Sequence, residues 1–272
     1  MIVFCHIPKT AGMAINYILK SNFGCRHVAS TTWGKQFPIT TERDLDFELF
    51  PYAKVIALSG HGIRPFINYG KYNTRMKWFT LLRNPIDRVI SHYIYDYEIN
   101  RTSEDFRNWL YRNNGNFQVR WLAGKEDIHT AKEILTKKFV FVGLQEHFKG
   151  SLVLLKDLMF NGNLSISNEK RINATKSTNS KIRIVENIDT YSELIEEKNR
   201  LDIELFNFVK KEIWETQIAR YGKDKLDDRI MKEYQDSGSS VSGRINRLFH
   251  EIYRNTVYKS TVFTAKILGI RS

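Results

Sequence analysis

The residues best suited to chemistry lie near the start of the chain. His6-Ile7-Pro8-Lys9-Thr10-Ala11-Gly12 follows a short apolar run and precedes a stretch of helical periodicity. The free N–H groups and dipole of a helix start make a ready site for an anion. Lys9 adds a mobile cation and Thr10 a hydroxyl donor. The loop is not a standard phosphate loop, since G-x-x-x-x-G-K-[ST] is absent. An ordinary strand–helix turn with a solvated lysine would look the same. The second group lies in Leu81–Tyr93, LLRNPIDRVISHY. Arg83 ends an apolar run, Pro85 suits the first turn of a helix, and Ser91 falls two turns further on. A guanidinium fork and a hydroxyl suit a phosphate monoester, gripped bidentately. The plainer alternative is that Arg83 caps the helix or pairs with Asp87. Arg88 reads as a surface ion pair.

These residues need elements to hold them. Ile2–Ile7, Lys54–Leu58, Lys77–Leu82 and Phe139–Val142 read as buried strands. Ala14–Phe23 reads as a helix with Ile15, Ile18 and Leu19 on one face. The segment from Pro85 carries a helical stripe of Ile86, Val89, Ile90, Tyr93 and Tyr97, and Glu146–Phe160 is a third amphipathic stretch. Strands alternating with helices predict an α/β fold, a central parallel sheet covered on both faces. In such sheets ligands bind at the carboxyl ends of the strands, where Arg83 and the Lys9 loop fall. Ser103–Thr136 reads as wholly helical, Leu164–Arg183 as a basic polar loop, and Tyr191–Ala219 as helix. Ser237–Ser240 is the plausible linker, dividing residues 1–236 from a C-terminal extension, 237–272. Within it Arg244–Ile270 is basic, with Ile245, Leu248, Phe249, Ile252 and Tyr253 at helical spacing. Such a segment can dock on the domain, pair with another chain, or lie on a membrane surface.

Composition bounds the partners. The 272 residues are 42% hydrophobic, 26% charged and 13% aromatic, as in an ordinary folded protein. A formal charge of +12 and a pI near 9.5 favour anionic partners without choosing among nucleotides, nucleic acid, acidic glycans and lipid surfaces. Cys5 and Cys25 are too few for a disulfide framework, and no Cys or His pair has metal-ligand spacing. No signal peptide and no membrane-spanning stretch is visible, so a reducing, cytoplasmic setting is the expectation.

The two phosphate-binding segments together resemble the signatures of the sulfotransferases that use 3′-phosphoadenosine-5′-phosphosulfate. The likeness is to the branch acting on carbohydrates, which includes the heparan-sulfate 2-O- and chondroitin-type enzymes and their bacterial relatives. Further segments match in order: Ser59-Gly60-His61; Asn116–Gly124, similar to the N-x-Q-x-R-x-L-x-G helix; Phe141–Glu146; and Asn199–Phe206. Coverage is about residues 1 to 220, and the segment after Asp236 has no counterpart. The resemblance implies a phosphate-loop-like three-layer fold. It also implies that the loop backbone of Thr10, Ala11, Gly12 and Met13 holds the 5′-phosphosulfate, and that Arg83 and Ser91 hold the 3′-phosphate. Lys9 would neutralise the bridging oxygen of the leaving nucleotide. Thr175 and Lys176 would lie in a basic loop near the adenine and 3′-phosphate. A histidine in the Ser59–His61 segment would be the base, and His61 also projects from the ligand edge of the predicted sheet. His92, beside Ser91, is the second candidate base, and His6 orients the loop. No metal is required. The acceptor would be a carbohydrate or glycolipid hydroxyl. One departure stands out: Met13-Ala14 follows Gly12 where the family commonly has paired hydroxyl residues. Animal relatives are membrane-anchored; a chain that opens on its first strand suggests a bacterial-type cytoplasmic enzyme, peripheral at a membrane if the C-terminal segment touches one.

Three other readings compete. A nucleotide kinase needs a metal-binding carboxylate near the loop and a lysine-serine or lysine-threonine pair, and neither is evident. A nucleic-acid-binding module predicts cations interleaved with aromatics on one face, whereas the conspicuous cations here fall at strand ends. A catalytically silent glycan binder would keep the groove and lose donor binding.

Overall fold

The computed structural model describes residues 1–30, 39–166, 191–235 and 241–258. Five strands, β1 (Ile2–Cys5), β2 (His27–Ser30), β3 (Ala57–Gly60), β4 (Lys77–Leu82) and β5 (Phe139–Leu144), form one sheet in the order β2-β3-β1-β4-β5. Every pairing is parallel. Phe4, Leu58, Phe79, Leu81 and Phe141 are fully buried, because helices cover both faces. This is the expected three-layer α/β arrangement. The sheet corrects two readings. Strand β2 carries polar His27 and Ser30 and so shows no apolar run; His27 is held inside the sheet by its Nε2 contact with Ser59 Oγ at 2.9 Å. Strand β3 starts after the KVIAL run has begun, because its register with β1 sets Ile2 opposite Ala57 and Cys5 opposite Gly60.

Around the sheet lie α1 (Gly12–Phe23), α2 (Glu42–Leu49), α3 (Pro85–Glu98), α4 (Phe106–Arg112), α5 (Phe117–Ala123), α6 (Ile128–Lys138) and α7 (Phe148–Phe160). After them come α8 (Ser192–Lys198), α9 (Arg200–Phe208), α10 (Glu215–Tyr221), α11 (Lys223–Gln235) and α12 (Val241–Tyr253). Among the described residues no helix is long and apolar enough to cross a membrane. The stretch expected to be wholly helical, Ser103–Thr136, is broken into α4, α5 and α6. Asn116 (φ 51°) and Gly124 (φ 80°) adopt left-handed backbone that a right-handed helix cannot continue through. Asp105 and Asp127 then restart the chain, accepting from the N–H groups of Asn108 and Thr130 at 2.9 Å each.

Two short motifs far apart in sequence meet here. Asn116 Oδ1 accepts from Leu201 N (2.9 Å), while the Asp202 carboxylate accepts from Gln118 N (2.9 Å) and Val119 N (2.8 Å). Each motif caps the other's helix, so α5 and α9 are positioned as one unit.

The strand order decides where a ligand can sit. From β1 the chain passes to β2 and β3 on one side, and from β4 to β5 on the other. The connections leaving the carboxyl ends of β1 and β4 therefore diverge, opening a crevice between those ends.

Candidate functional site

The loop leaving β1 is held open by its own backbone. Lys9 (φ 72°) and Ala11 (φ 66°) are left-handed, at a cost of about 1–2 kcal/mol each for residues with a Cβ. Alternating conformations of this kind turn successive N–H groups toward one point. Helix α1 begins directly afterwards, so its first-turn N–H groups add to that point. Gly12 is required at the junction: a Cβ there would stand 1.9 Å from the His6 ring. His6 is buried under the loop, its Nδ1 facing Asn16 Nδ2 at 3.4 Å. Thr10 corrects an expectation. Its hydroxyl donates inward to Ile7 O at 2.9 Å and the side chain is fully buried, so what it offers a ligand is its backbone N–H. Met13 is half exposed at the rim.

Lys9 lies half-buried, its Nζ 4.1 Å from the centre of the Tyr95 ring. Burial, and then the neighbouring Arg83 guanidinium, pull its ammonium down from the ordinary lysine value to about 8. Arg83 Nη1 donates to Lys9 O at 3.2 Å, joining the carboxyl ends of β1 and β4 across the crevice. Arg83 is itself clamped by fully buried Gln118. Its N–H donates to Gln118 Oε1 (3.1 Å) and its carbonyl accepts from Gln118 Nε2 (2.8 Å). The alternative partner Asp87 makes no ion pair with Arg83 among the described residues, and Asn84 caps α3 instead, accepting from Ile86 N at 3.0 Å. Ser91 precedes Tyr95 by one helical turn and so shares the face of α3 over which Lys9 lies.

His61 follows β3, the neighbour of β1, at the same edge of the sheet. Its Nδ1 is 3.1 Å from His6 O. A carbonyl can only accept, so Nδ1 carries the proton and Nε2 is the basic nitrogen of the ring. Burial lowers the pKa of His61 below the usual imidazole value, against the opposing pull of that hydrogen bond. His6, whose ring centre is 4.0 Å away, is driven well below it by burial and by His61. The Trp121 ring lies perpendicular to that of His61 at 5.9 Å, and the Arg64 guanidinium stacks on the same indole at 3.0 Å. Helix α5 therefore supports both halves of the crevice, Arg83 through Gln118 and His61 through Trp121.

Two residues of α3 fall elsewhere. Arg88 is not at the surface in an ion pair but 3% exposed, its guanidinium 4.4 Å from the Phe117 ring centre, and burial lowers its pKa to about 10 against the opposing charge of Asp202. Its Nε and Nη1 have no hydrogen-bond partner among the described residues. His92, the second candidate base, lies beside Arg88 and Trp109 in a pocket of about 220 Å³. Burial and the Arg88 charge push its pKa down to about 3, and its Nε2 is 3.6 Å from Asp96. Asp96 in turn is raised by burial, so desolvation opposes the charged form of both groups.

Of the residues nominated from sequence, the structure gathers Lys9, Thr10, Ala11, Gly12, Met13, Arg83, Ser91 and His61 at one edge of the sheet. Thr175 and Lys176 lie outside the described residues. Sequence reasoning passed over Gln118, Trp121, Tyr95 and Arg64. Gln118 and Trp121 did stand inside a recognised motif, and Tyr95 stands one turn beyond Ser91. Arg64 carried no signal.

A search of the curated proteins finds no match to this chain. A family model described as the sulfotransferase family matches residues 1–209, a span that takes in all five strands, the β1 loop, Arg83, His61 and the interlocked helices α5 and α9. The chain belongs to the sulfotransferase family.

Proposed function

We propose that the protein moves a sulfuryl group from 3′-phosphoadenosine-5′-phosphosulfate to a hydroxyl of a carbohydrate or glycoconjugate. The observation that carries this reading is the link between the Lys9 loop and Arg83 across the β1–β4 crevice, with His61 held as a neutral base at the same edge. The donor presents two anionic ends, and the crevice offers two cationic anchors of different character. Backbone N–H groups from Thr10 to Met13 suit the 5′-phosphate, and the planar fork of Arg83, with the Ser91 hydroxyl, suits the 3′-phosphate monoester.

The chemistry follows from those positions. His61 Nε2 accepts the proton of the acceptor hydroxyl as its oxygen forms a bond to sulfur. The bond from sulfur to the bridging oxygen breaks in line, and Lys9 balances the charge that grows on that oxygen. The products are a sulfate ester and 3′-phosphoadenosine-5′-phosphate, with the proton resting on His61 until solvent takes it. Left-handed Lys9 and Ala11 hold the loop preorganised, so little rearrangement accompanies charge transfer. The missing hydroxyls at Met13 and Ala14, and the inward turn of Thr10, leave the 5′-phosphate to backbone donors and Lys9.

Calorimetric titration with 3′-phosphoadenosine-5′-phosphate tests the donor, and labelled donor offered to glycan and glycolipid panels tests the acceptor. Saturable nucleotide binding that Lys9→Ala weakens is expected. Absence of binding, or binding indifferent to Lys9→Ala, sinks the proposal.

A further inference from the structure

Helix α12 docks on the domain by the face that its hydrophobic pattern does not nominate. Toward the domain it turns polar groups: Asn246 Nδ2 donates to Ser21 O (2.9 Å), and Arg247 Nη1 donates to Ser21 Oγ (2.7 Å). His250 stacks on His27 at 5.5 Å, and the Tyr253 hydroxyl donates to Pro51 O. Outward stand Ile245, Leu248, Phe249 and Ile252, exposed by 47, 61, 59 and 49%. Their spacing i, i+3, i+4, i+7 makes one continuous stripe. Single exposed apolar residues are ordinary on any protein, but a contiguous stripe marks a contact surface. Phe50, 80% exposed, stands beside Pro51 and extends apolar surface past Tyr253.

Charge says what covers it. Residues 241–272 hold six cations (Arg244, Arg247, Arg254, Lys259, Lys266 and Arg271) against one acid, Glu251. That acid is paired with Lys20 at 3.0 Å. Exposed Arg26 lies in the turn on which α12 packs, and exposed Lys54 follows Tyr52, whose ring meets that of Tyr253 at 5.0 Å. We propose that this face lies on an anionic lipid surface, with the four apolar side chains at the acyl boundary and Arg254, Arg26 and Lys54 among the headgroups. A second copy fits less well. A two-fold contact would set the same cation excess against itself, and a stable pair buries ~800 Å² per partner, beyond what one short helical stripe presents.

The placement has a consequence for the enzyme. Helix α12 touches His27 at the start of β2 and Pro51-Tyr52 ahead of β3, which is the amino edge of the sheet. The crevice is at the carboxyl edge, beyond the amino-terminal half of α1, while α12 packs on its later part, where Arg247 lies over Tyr17. A membrane contact through α12 therefore leaves the carboxyl edge of the sheet clear of the docking helix.

The surface is independent of the proposed reaction and is tested without donor. The full-length chain is sedimented with vesicles of phosphatidylcholine alone and of equal parts phosphatidylcholine and phosphatidylglycerol. Binding to the mixed vesicles at least about tenfold tighter, and weakened by salt, is expected. The double substitution Leu248→Ser, Phe249→Ser, at exposed positions, should reduce that binding at least about tenfold while leaving the circular dichroism spectrum and nucleotide binding unchanged. Three results overturn the proposal: no sedimentation of the parent chain with mixed vesicles, undiminished sedimentation of the double variant, or a dimeric mass in solution that the double variant returns to monomer.

Discussion

Lys9 is the residue at which burial and function pull in opposite directions. The loop that carries it also strips it of water, leaving its pKa at about 8. Only the charged form attracts the nucleotide, so affinity for 3′-phosphoadenosine-5′-phosphate should fall as pH rises through about 8. The slope should approach a tenfold loss per pH unit, roughly the linkage limit for one proton. Lys9→Met should weaken binding about ten- to hundredfold at pH 7 and abolish this dependence, as titration calorimetry across pH would show. His61 makes the complementary prediction. Its lowered pKa keeps it a neutral base at pH 6.5 and above, so kcat/KM should be level from there to about 8, falling on the acid side as pH drops through that lowered value and on the alkaline side as Lys9 loses its proton. His61→Ala should reduce kcat by about 10²–10⁴ with nucleotide affinity retained. A comparable loss from His92→Ala would move the base to the wrong face of α3.

At the scale of elements, the interlock of α5 with α9 governs both anchors of the crevice. Asp202 caps α5 through two N–H groups and is the carboxylate drawn to the buried Arg88. Asp202→Ala leaves two buried N–H groups of α5 without their acceptor. Urea unfolding should then show a loss of about 2–4 kcal/mol. Asp202→Asn retains an acceptor for one N–H and should lose less. Because Gln118 and Trp121 ride on α5, either variant should also weaken nucleotide binding at temperatures where the protein remains folded. The same interlock explains how two unremarkable stretches, Asn116–Gly124 and Asn199–Phe206, come to be read together. Each is incomplete as a helix start until the other supplies its acceptors.

Across the whole molecule, the histidines bear on stability toward acid. His6, His27, His61, His92 and His250 all have pKa values lowered chiefly by burial. The unfolded chain takes up protons near pH 6.5 that the folded chain refuses, so stability is full above that pH and is lost as pH falls below it. Each such histidine contributes a slope of up to about 1.4 kcal/mol per pH unit. The urea midpoint should therefore drop steeply between pH 6.5 and about 4, and His250→Gln should flatten the drop. His250 and His27 stack where α12 meets the sheet edge, so this contact should be an early one to loosen on acidification.

Much of the fold was legible in sequence because its cues are local. Apolar runs marked four of five strands, Pro85 marked a helix start, and the crowded loop before Gly12 marked an anion site. Strand β2 was hidden because polar His27 and Ser30 find their partners, Ser59 and Thr40, elsewhere in the fold, and the breaks around α5 were hidden because a left-handed Asn116 leaves no periodic trace. Of the candidate site residues, Lys9, Arg83 and His61 stand at element ends as their sequence positions indicated, while Ser91, two turns into α3, was nominated through the family resemblance. What the sequence by itself determined is this inventory and its order along the chain. Only the tertiary structure decided the partners: the His6 carbonyl that sets the His61 tautomer, the inward bond of Thr10, the burial of Arg88, and the polar face by which α12 docks. Periodicity reports which residues share a side of an element. Strand order and cross-element hydrogen bonds, which no local pattern encodes, decide what that side meets.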